Sequence, residues 1–172
     1  MVGYKEEIEK INNDIFIVSE DTTNLFGKNQ IVILDTSVIV KWFFKEDENN
    51  TNNAELLLQR YFKNEIRIIT PEILLFELTN TIKNKSLKNK DYQFEVIDKI
   101  FSIGIIFYIN KEILKSALET ANKISESVYD CSFIATAEHF GGIFITDDKK
   151  LYENYIRFSD RKVKVILLKD YV

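Results

Sequence analysis

An α/β fold with a mostly parallel central sheet flanked by helices is predicted by three features of the chain. Short apolar runs recur along it: Ile31-Val32-Ile33-Leu34, Ile66-Arg67-Ile68-Ile69, Ile105-Ile106-Phe107-Tyr108, Ile143-Phe144-Ile145 and Val163-Lys164-Val165-Ile166-Leu167. Runs of this length without clear alternation read as strands covered on both faces. Stretches with apolar residues at helical spacing separate them, and strands alternating with helices make βαβ units. Finally, Asp35 directly follows the first run and Asp147-Asp148 closely follow the fourth. Ligands in open α/β sheets gather outside the carboxyl ends of the strands.

The elements follow in order. Residues 1–30 read as an addition to a main domain at 31–172. In the addition, Tyr4, Ile8, Ile11 and Ile15 hold helical spacing, Ile15-Phe16-Ile17-Val18 has strand character, and Ser19–Gln30 is polar with turn signals. Packing on the domain edge, binding a partner and partial disorder all remain open for it. After the first strand, Val38, Ile39, Trp42 and Phe43 mark a helix, and Lys45–Asn53 is a polar loop. Ala54, Leu57, Leu58 and Tyr61 mark the next helix. Pro71, the only proline, stands where a helix would begin after the second strand, since its missing N–H is not needed there. That helix carries Ile73, Leu74, Leu75, Phe76, Leu78 and Ile82 and ends in the Lys/Asn-rich 83–90. A helix through Phe94, Ile97 and Phe101 stops at Gly104, and Asn110 caps the helix bearing Ile113, Leu114, Ala117 and Ala121. Ser127 opens a helix through Phe133, Ile134 and Ala137 that Gly141-Gly142 ends. Leu151, Tyr152 and Tyr155 suggest a short helix before the closing strand.

Composition bounds the function. With 172 residues, 45% hydrophobic and 29% charged, the chain suits one soluble domain. No window has the apolar length of a membrane span, and the acidic start Met1–Glu7 lacks a signal core, so a cytosolic protein is expected. One cysteine, Cys131, excludes internal disulfides and cysteine-based zinc sites, and reads as small core filling. The net charge of −4 argues against non-specific nucleic-acid binding, but a metal-binding carboxylate cluster would itself inflate the acidic count. His139 is the only histidine and reads as a helix-end surface residue.

Four acids stand out. Asp35 and Asp148 follow strands, while Glu77 and Asp130 interrupt otherwise apolar helices. Each has an ordinary explanation: Asp35 and Asp148 as caps, Asp130 in a capping box with Ser127, Glu77 at a helix edge. Four in such places are harder to explain so. Like charges repel unless a cation compensates, and an oxygen-only cluster suits Mg²⁺ or Mn²⁺.

The segments Leu34-Asp35-Thr36-Ser37-Val38, Pro71–Leu78, Val128–Ala137 and Ile145–Leu151, by their order and spacing over about residues 31–168, resemble the PIN-domain nucleases. Within that family the chain is most similar to the toxins of VapBC-type toxin–antitoxin pairs. The resemblance implies a PIN-like three-layer sandwich and a metal-dependent endoribonuclease. It makes Asp35, Glu77, Asp130 and Asp148 the metal-binding acids, with Ser37 and Thr146 as supporting hydroxyls. The family usually has a small residue at Asp147; the position of Asp148 three before Leu151 favours Asp148 over Asp147. RNA as substrate, Mg²⁺ or Mn²⁺ as cofactor, a small antitoxin as partner and a homodimer are implied likewise. Helices around Trp42, Leu57 and Leu75 would offer an antitoxin helix its groove. A stand-alone RNA-processing PIN nuclease is the alternative. A phospho-accepting receiver-like domain is a weaker one, since it would explain Asp35 and a neighbouring acid but not Glu77 and Asp130.

Overall fold

The computed structural model describes residues 29–45, 49–85 and 89–171. The expectations for residues 1–28 lie outside the described residues. The elements run β1 (Gln30–Leu34), α1 (Thr36–Phe43), α2 (Thr51–Phe62), β2 (Ile66–Pro71), α3 (Ile73–Lys85), α4 (Lys90–Ile103), β3 (Ile106–Phe107), α5 (Lys111–Ile124), α6 (Val128–Phe140), β4 (Ile143–Thr146), α7 (Lys149–Arg157) and β5 (Lys164–Leu167). The five strands form one sheet in the order β3-β2-β1-β4-β5, and every pairing is parallel. Helices connect successive strands, as parallel neighbours require.

β1 is the centre. Val32 pairs with Ile68 on one side and Ile143 on the other, and Val32, Ile33 and Leu34 are wholly buried. The chain builds outward from β1 through β2 to β3, then returns to the opposite side of β1 with β4. This reversal is a topological switch point, and it opens a crevice at the carboxyl ends of β1 and β4. The Gly141-Gly142 pair serves that packing twice. Gly141 ends α6 with a left-handed φ of 61°, and a Cβ on Gly142 would come within 2.9 Å of the Ile31 carbonyl oxygen. Only a bare backbone lets β4 enter beside β1 there.

Two local expectations are corrected, and one apolar residue of α3 faces outward. Pro71 ends β2 instead of opening a helix: it pairs with Phe107 in register, while Thr70 and Glu72 donate their N–H groups to Ile105 and Phe107. The β1 ladder stops at Ile69, so β2 has no donor left to supply at Pro71. β3 is only two residues long, because only Thr70 and Pro71 remain to pair with it. Phe76 is exposed; α3 buries the stripe Leu74, Leu78 and Ile82 and turns Phe76 outward. The expected groove also differs. Leu57 is fully buried, and the Trp42 indole donates to the Ala54 carbonyl at 2.8 Å, so both belong to the α1–α2 packing.

Candidate active site

Asp35 is the first residue after β1, and its extended backbone (φ −68°, ψ 155°) makes it the N-cap of α1. Its N–H is held by the Ile145 carbonyl at 3.1 Å, which pins the turn to the end of β4. Oδ2 accepts two hydroxyl bonds, from Ser37 at 2.8 Å and from Thr146 at 2.5 Å. Oδ1 meets the Ser37 N–H at 3.4 Å, the long end for such a bond. Both hydroxyls are fixed from behind: Ser37 Oγ accepts from the Asp147 N–H at 3.0 Å and Thr146 Oγ1 from the Asp148 N–H at 2.9 Å. Two relays therefore join the β4–α7 turn to one carboxylate oxygen.

Glu77 comes from α3, and its Oε2 accepts from Thr36 Oγ1, the residue after Asp35. Asp130 stands in the first turn of α6, where Ser127 Oγ accepts from the Asp130 N–H at 3.0 Å and donates to its Oδ2 at 2.6 Å. The three charges share a field. Burial pushes the Asp35 carboxyl above its ordinary value, the Ser37 and Thr146 bonds oppose this, and Asp130 adds to the rise. Glu77 is raised by burial and by the charges of Asp35 and Asp130, against the Thr36 bond.

Asp148 joins through Thr146 and also caps α7, its Oδ1 accepting from the Leu151 N–H at 3.0 Å. Asp147 is engaged elsewhere: Lys41 Nζ lies 3.0 Å from its Oδ2, and Asn50 donates to its Oδ1 at 2.9 Å. His139 is exposed in the last turn of α6 and packs on Phe140, with ring centroids 4.9 Å apart, remote from Asp130 in the first turn. Cys131 is fully buried, and its thiol is pushed up to about 12 by burial and by Asp130 and Glu126, so it supplies no thiolate at neutral pH.

Two residues not singled out from sequence belong to this site. Thr36 links Glu77 to the β1–α1 turn. Lys41 is nearly buried and fixes Asp147. Its signal was present, since it is the one charge in the helix Thr36–Phe43.

Among the described residues no group of three or more His, Cys, Asp or Glu side chains is drawn in closely enough to enclose a metal ion. The donor set nevertheless fits Mg²⁺ or Mn²⁺. Its acids are all oxygen donors, and Mg²⁺ takes one or two carboxylates and keeps several waters instead of demanding a full protein cage. Without a cation the buried charges work against the fold. Because Asp35 and Glu77 are raised above their ordinary values of 3.8 and 4.5, the native state binds the extra protons between the unfolded and folded values. Their contribution is full below those ordinary values and lost as pH rises through the raised ones. In EDTA, Asp35→Asn should therefore gain in melting temperature relative to the parent as pH rises from about 4 to about 7. A difference between the two that stays flat with pH would contradict the buried, raised carboxyl.

The PIN domain family model matches residues 32–156, which include all four acids. The chain is 22% identical over 129 residues to Ribonuclease VapC3 of Pyrobaculum aerophilum, covering 72% of this chain and 94% of that one. In structure it is similar to FitAcB of Neisseria gonorrhoeae (TM-score 0.60, 15% identity, 81% and 99% of the two chains). DNA-bound VapBC of Salmonella typhimurium is also similar (0.58, 14%, 81% and 98%). So is VapC20 of Mycobacterium tuberculosis, described as a Sarcin-Ricin loop cleaving toxin (0.54, 12%, 71% and 93%). A family model over most of the chain, on a parallel sheet whose switch point carries the acids, shows that the chain belongs to the PIN-domain family.

Proposed function

We propose that the chain is an endoribonuclease that hydrolyses RNA phosphodiester bonds with Mg²⁺ or Mn²⁺, and that it is the toxin of a toxin–antitoxin pair. The observation that carries the proposal is the set of carboxylates around the switch point, where burial and the Asp130 charge raise Asp35, and burial with the charges of Asp35 and Asp130 raises Glu77, in the absence of a cation. The kinship with a VapC ribonuclease and the fold shared with VapBC toxin–antitoxin complexes support it.

Asp35, Glu77, Asp130 and Asp148 would hold the cation. When bound, it lowers the pKa of a water and neutralises charge on the phosphodiester. The chain's own part is positioning. Ser37 and Thr146 hold Asp35 through Oδ2, and Thr36 holds Glu77 through Oε2. Lys41 and Asn50 draw the Asp147 carboxylate aside, which favours Asp148 as the fourth acid. Neither Cys131 nor His139 is required. Incubating labelled RNA with the protein in Mg²⁺ and in EDTA tests the proposal: cleavage confined to Mg²⁺ is expected, and cleavage equal in both would contradict it.

The antitoxin partner would offer Arg or Lys to the acids, and the toxin would work in the cytosol as a homodimer. No helix among the described residues is long and apolar enough to cross a membrane. Co-purification with the product of an adjacent small reading frame tests the partner; a fully active enzyme lacking such a gene would favour a stand-alone RNA-processing nuclease. The division into residues 1–30 and 31–172 rests on all four acids lying beyond the first segment. Because Asn29 donates to the Asn64 carbonyl and Gln30 opens β1, the informative deletion stops before Asn29. That deletion should leave metal-dependent RNA turnover within a few-fold of the parent. A truncated protein that folds yet no longer cleaves would show that the segment helps to form the site.

A further inference from the structure

A cavity lies among the described residues away from the four acids. It has a volume of about 370 Å³ and is formed between the end of α5 and the last turn of α7, lined by Lys123, Ser125, Asn154, Arg157 and Phe158 among others. That is the size of a small-molecule pocket. Its two cations are not absorbed by the helix ends. At the end of α7 the carbonyls of Ile156 and of the C-cap Phe158 are taken by Arg161, the latter at 2.9 Å. Arg157 reaches Glu153 at 4.0 Å, the outer limit of an ion pair, so its guanidinium is weakly committed. The Lys123 ammonium sits over the Phe158 ring, 5.6 Å from its centre, which holds the charge at the cavity.

The helix that lines the cavity through Asn154 and Arg157 is the one that Asp148 caps. Asn154 donates to Glu126 Oε1 at 2.5 Å, and the same carboxylate lies 2.9 Å from Lys150 Nζ. Lys150 in turn feels the charges of Asp148 and Asp130. From Asp148 the nine residues of α7 rise about 13 Å to Arg157. A strand with its scissile phosphate at the acids would have to continue past the bond to reach the cavity.

We propose that this cavity is a phosphate subsite for that continuing RNA strand, with the Lys123 ammonium and Arg157 guanidinium binding a backbone phosphate and the Ser125 hydroxyl as a further donor. It rests on the ribonuclease reading. Charge complementarity selects the ligand: a chain of net charge −4 that gathers carboxylates at its cleft must hold a polyanion by cations set beside them. Such contacts bind substrate and transition state alike, so they govern KM and leave kcat unchanged.

The test compares the parent with Arg157→Gln and Lys123→Gln. Melting temperatures should agree, since both side chains lie at the surface. Against a long single-stranded RNA in Mg²⁺, each variant should raise KM at constant kcat, and against a dinucleotide it should match the parent. In fluorescence anisotropy with the same RNA, the slope of log affinity against log salt should become shallower by about 0.7 for each lost phosphate contact. An unchanged KM and slope in both variants would overturn the subsite. So would a stabilisation by inorganic phosphate that both variants lose while their RNA slopes stay at the parent's value, for the cavity would then hold a free anion. If the parent cleaves no RNA, the ribonuclease reading fails on its own, and the anisotropy slopes still decide the subsite.

Discussion

Asp35→Asn should lower RNA cleavage in Mg²⁺ by about a hundredfold or more, the scale at which losing a metal ligand exceeds losing one of its supports. The substitution is close to silent for the fold. An amide oxygen in the place of Oδ2 still accepts from Ser37 and Thr146, and what is given up is only the long 3.4 Å bond from the Ser37 N–H to Oδ1. What it removes is the charge that burial and Asp130 already oppose. Cleavage assays at saturating RNA, on protein whose circular dichroism matches the parent, check this. Undiminished cleavage would remove Asp35 from the chemistry.

The largest effect on stability is expected at Lys41. Its side chain is 4% exposed and that of Asp147 is 21% exposed, with 3.0 Å between the charges. Removing one partner of a buried pair leaves the other charge unpaired, which costs about 3–5 kcal/mol when both are fully buried. Asp147 keeps some water and its bond to Asn50, so Lys41→Met should cost roughly 2–3 kcal/mol, or a melting temperature roughly 5–10 °C lower. Lys41→Met/Asp147→Leu should recover most of that loss, because the Asp147 charge is then not stranded. A single variant as stable as the parent, or a double variant no better than the single, would show that the pair does not carry the turn. Loss of Lys41 should also lower activity, since the Asp147 N–H fixes the Ser37 hydroxyl that holds Asp35.

The fold was legible in the sequence where burial alone decides structure. β1 and β4 are uninterrupted apolar runs because helices cover both faces, and Asn110, Ser127 and Gly141 mark helix ends through local bonds that spacing reveals. Expectation failed where tertiary pairing decides. Ile105–Tyr108 looks as much like a strand as Ile143–Ile145 does, yet only Ile106 and Phe107 pair in register, since β2 has run out at Pro71. Phe76 belongs to the same apolar run as Leu74 and Leu78, but the stripe Leu74, Leu78 and Ile82 fixes which way α3 faces and leaves Phe76 exposed.

The site divides similarly. Strand-end position singled out Asp35 and Asp148, and a charge on an apolar helix singled out Glu77 and Asp130. The relays through Ser37 and Thr146 span more than a hundred residues of chain, and local spacing carries no trace of them. Capping and site readings of the acids also prove compatible. Asp35, Asp130 and Asp148 each bond near a helix start, so a cap signature at a strand end does not argue against chemistry.

That these acids form a cation site is tested most directly by thermal melts of the parent and of Asp35→Asn, each in EDTA and in millimolar Mn²⁺ or Mg²⁺. A cation that binds only the native state stabilises it by about 2.7 kcal/mol at a hundredfold excess over its Kd. The parent should gain melting temperature with metal. The variant should melt at or above the parent in EDTA, with one repelling charge gone, and should gain much less from metal. A variant that is less stable than the parent in EDTA and keeps the full gain from metal would contradict this, and would make Asp35 a helix cap and nothing more.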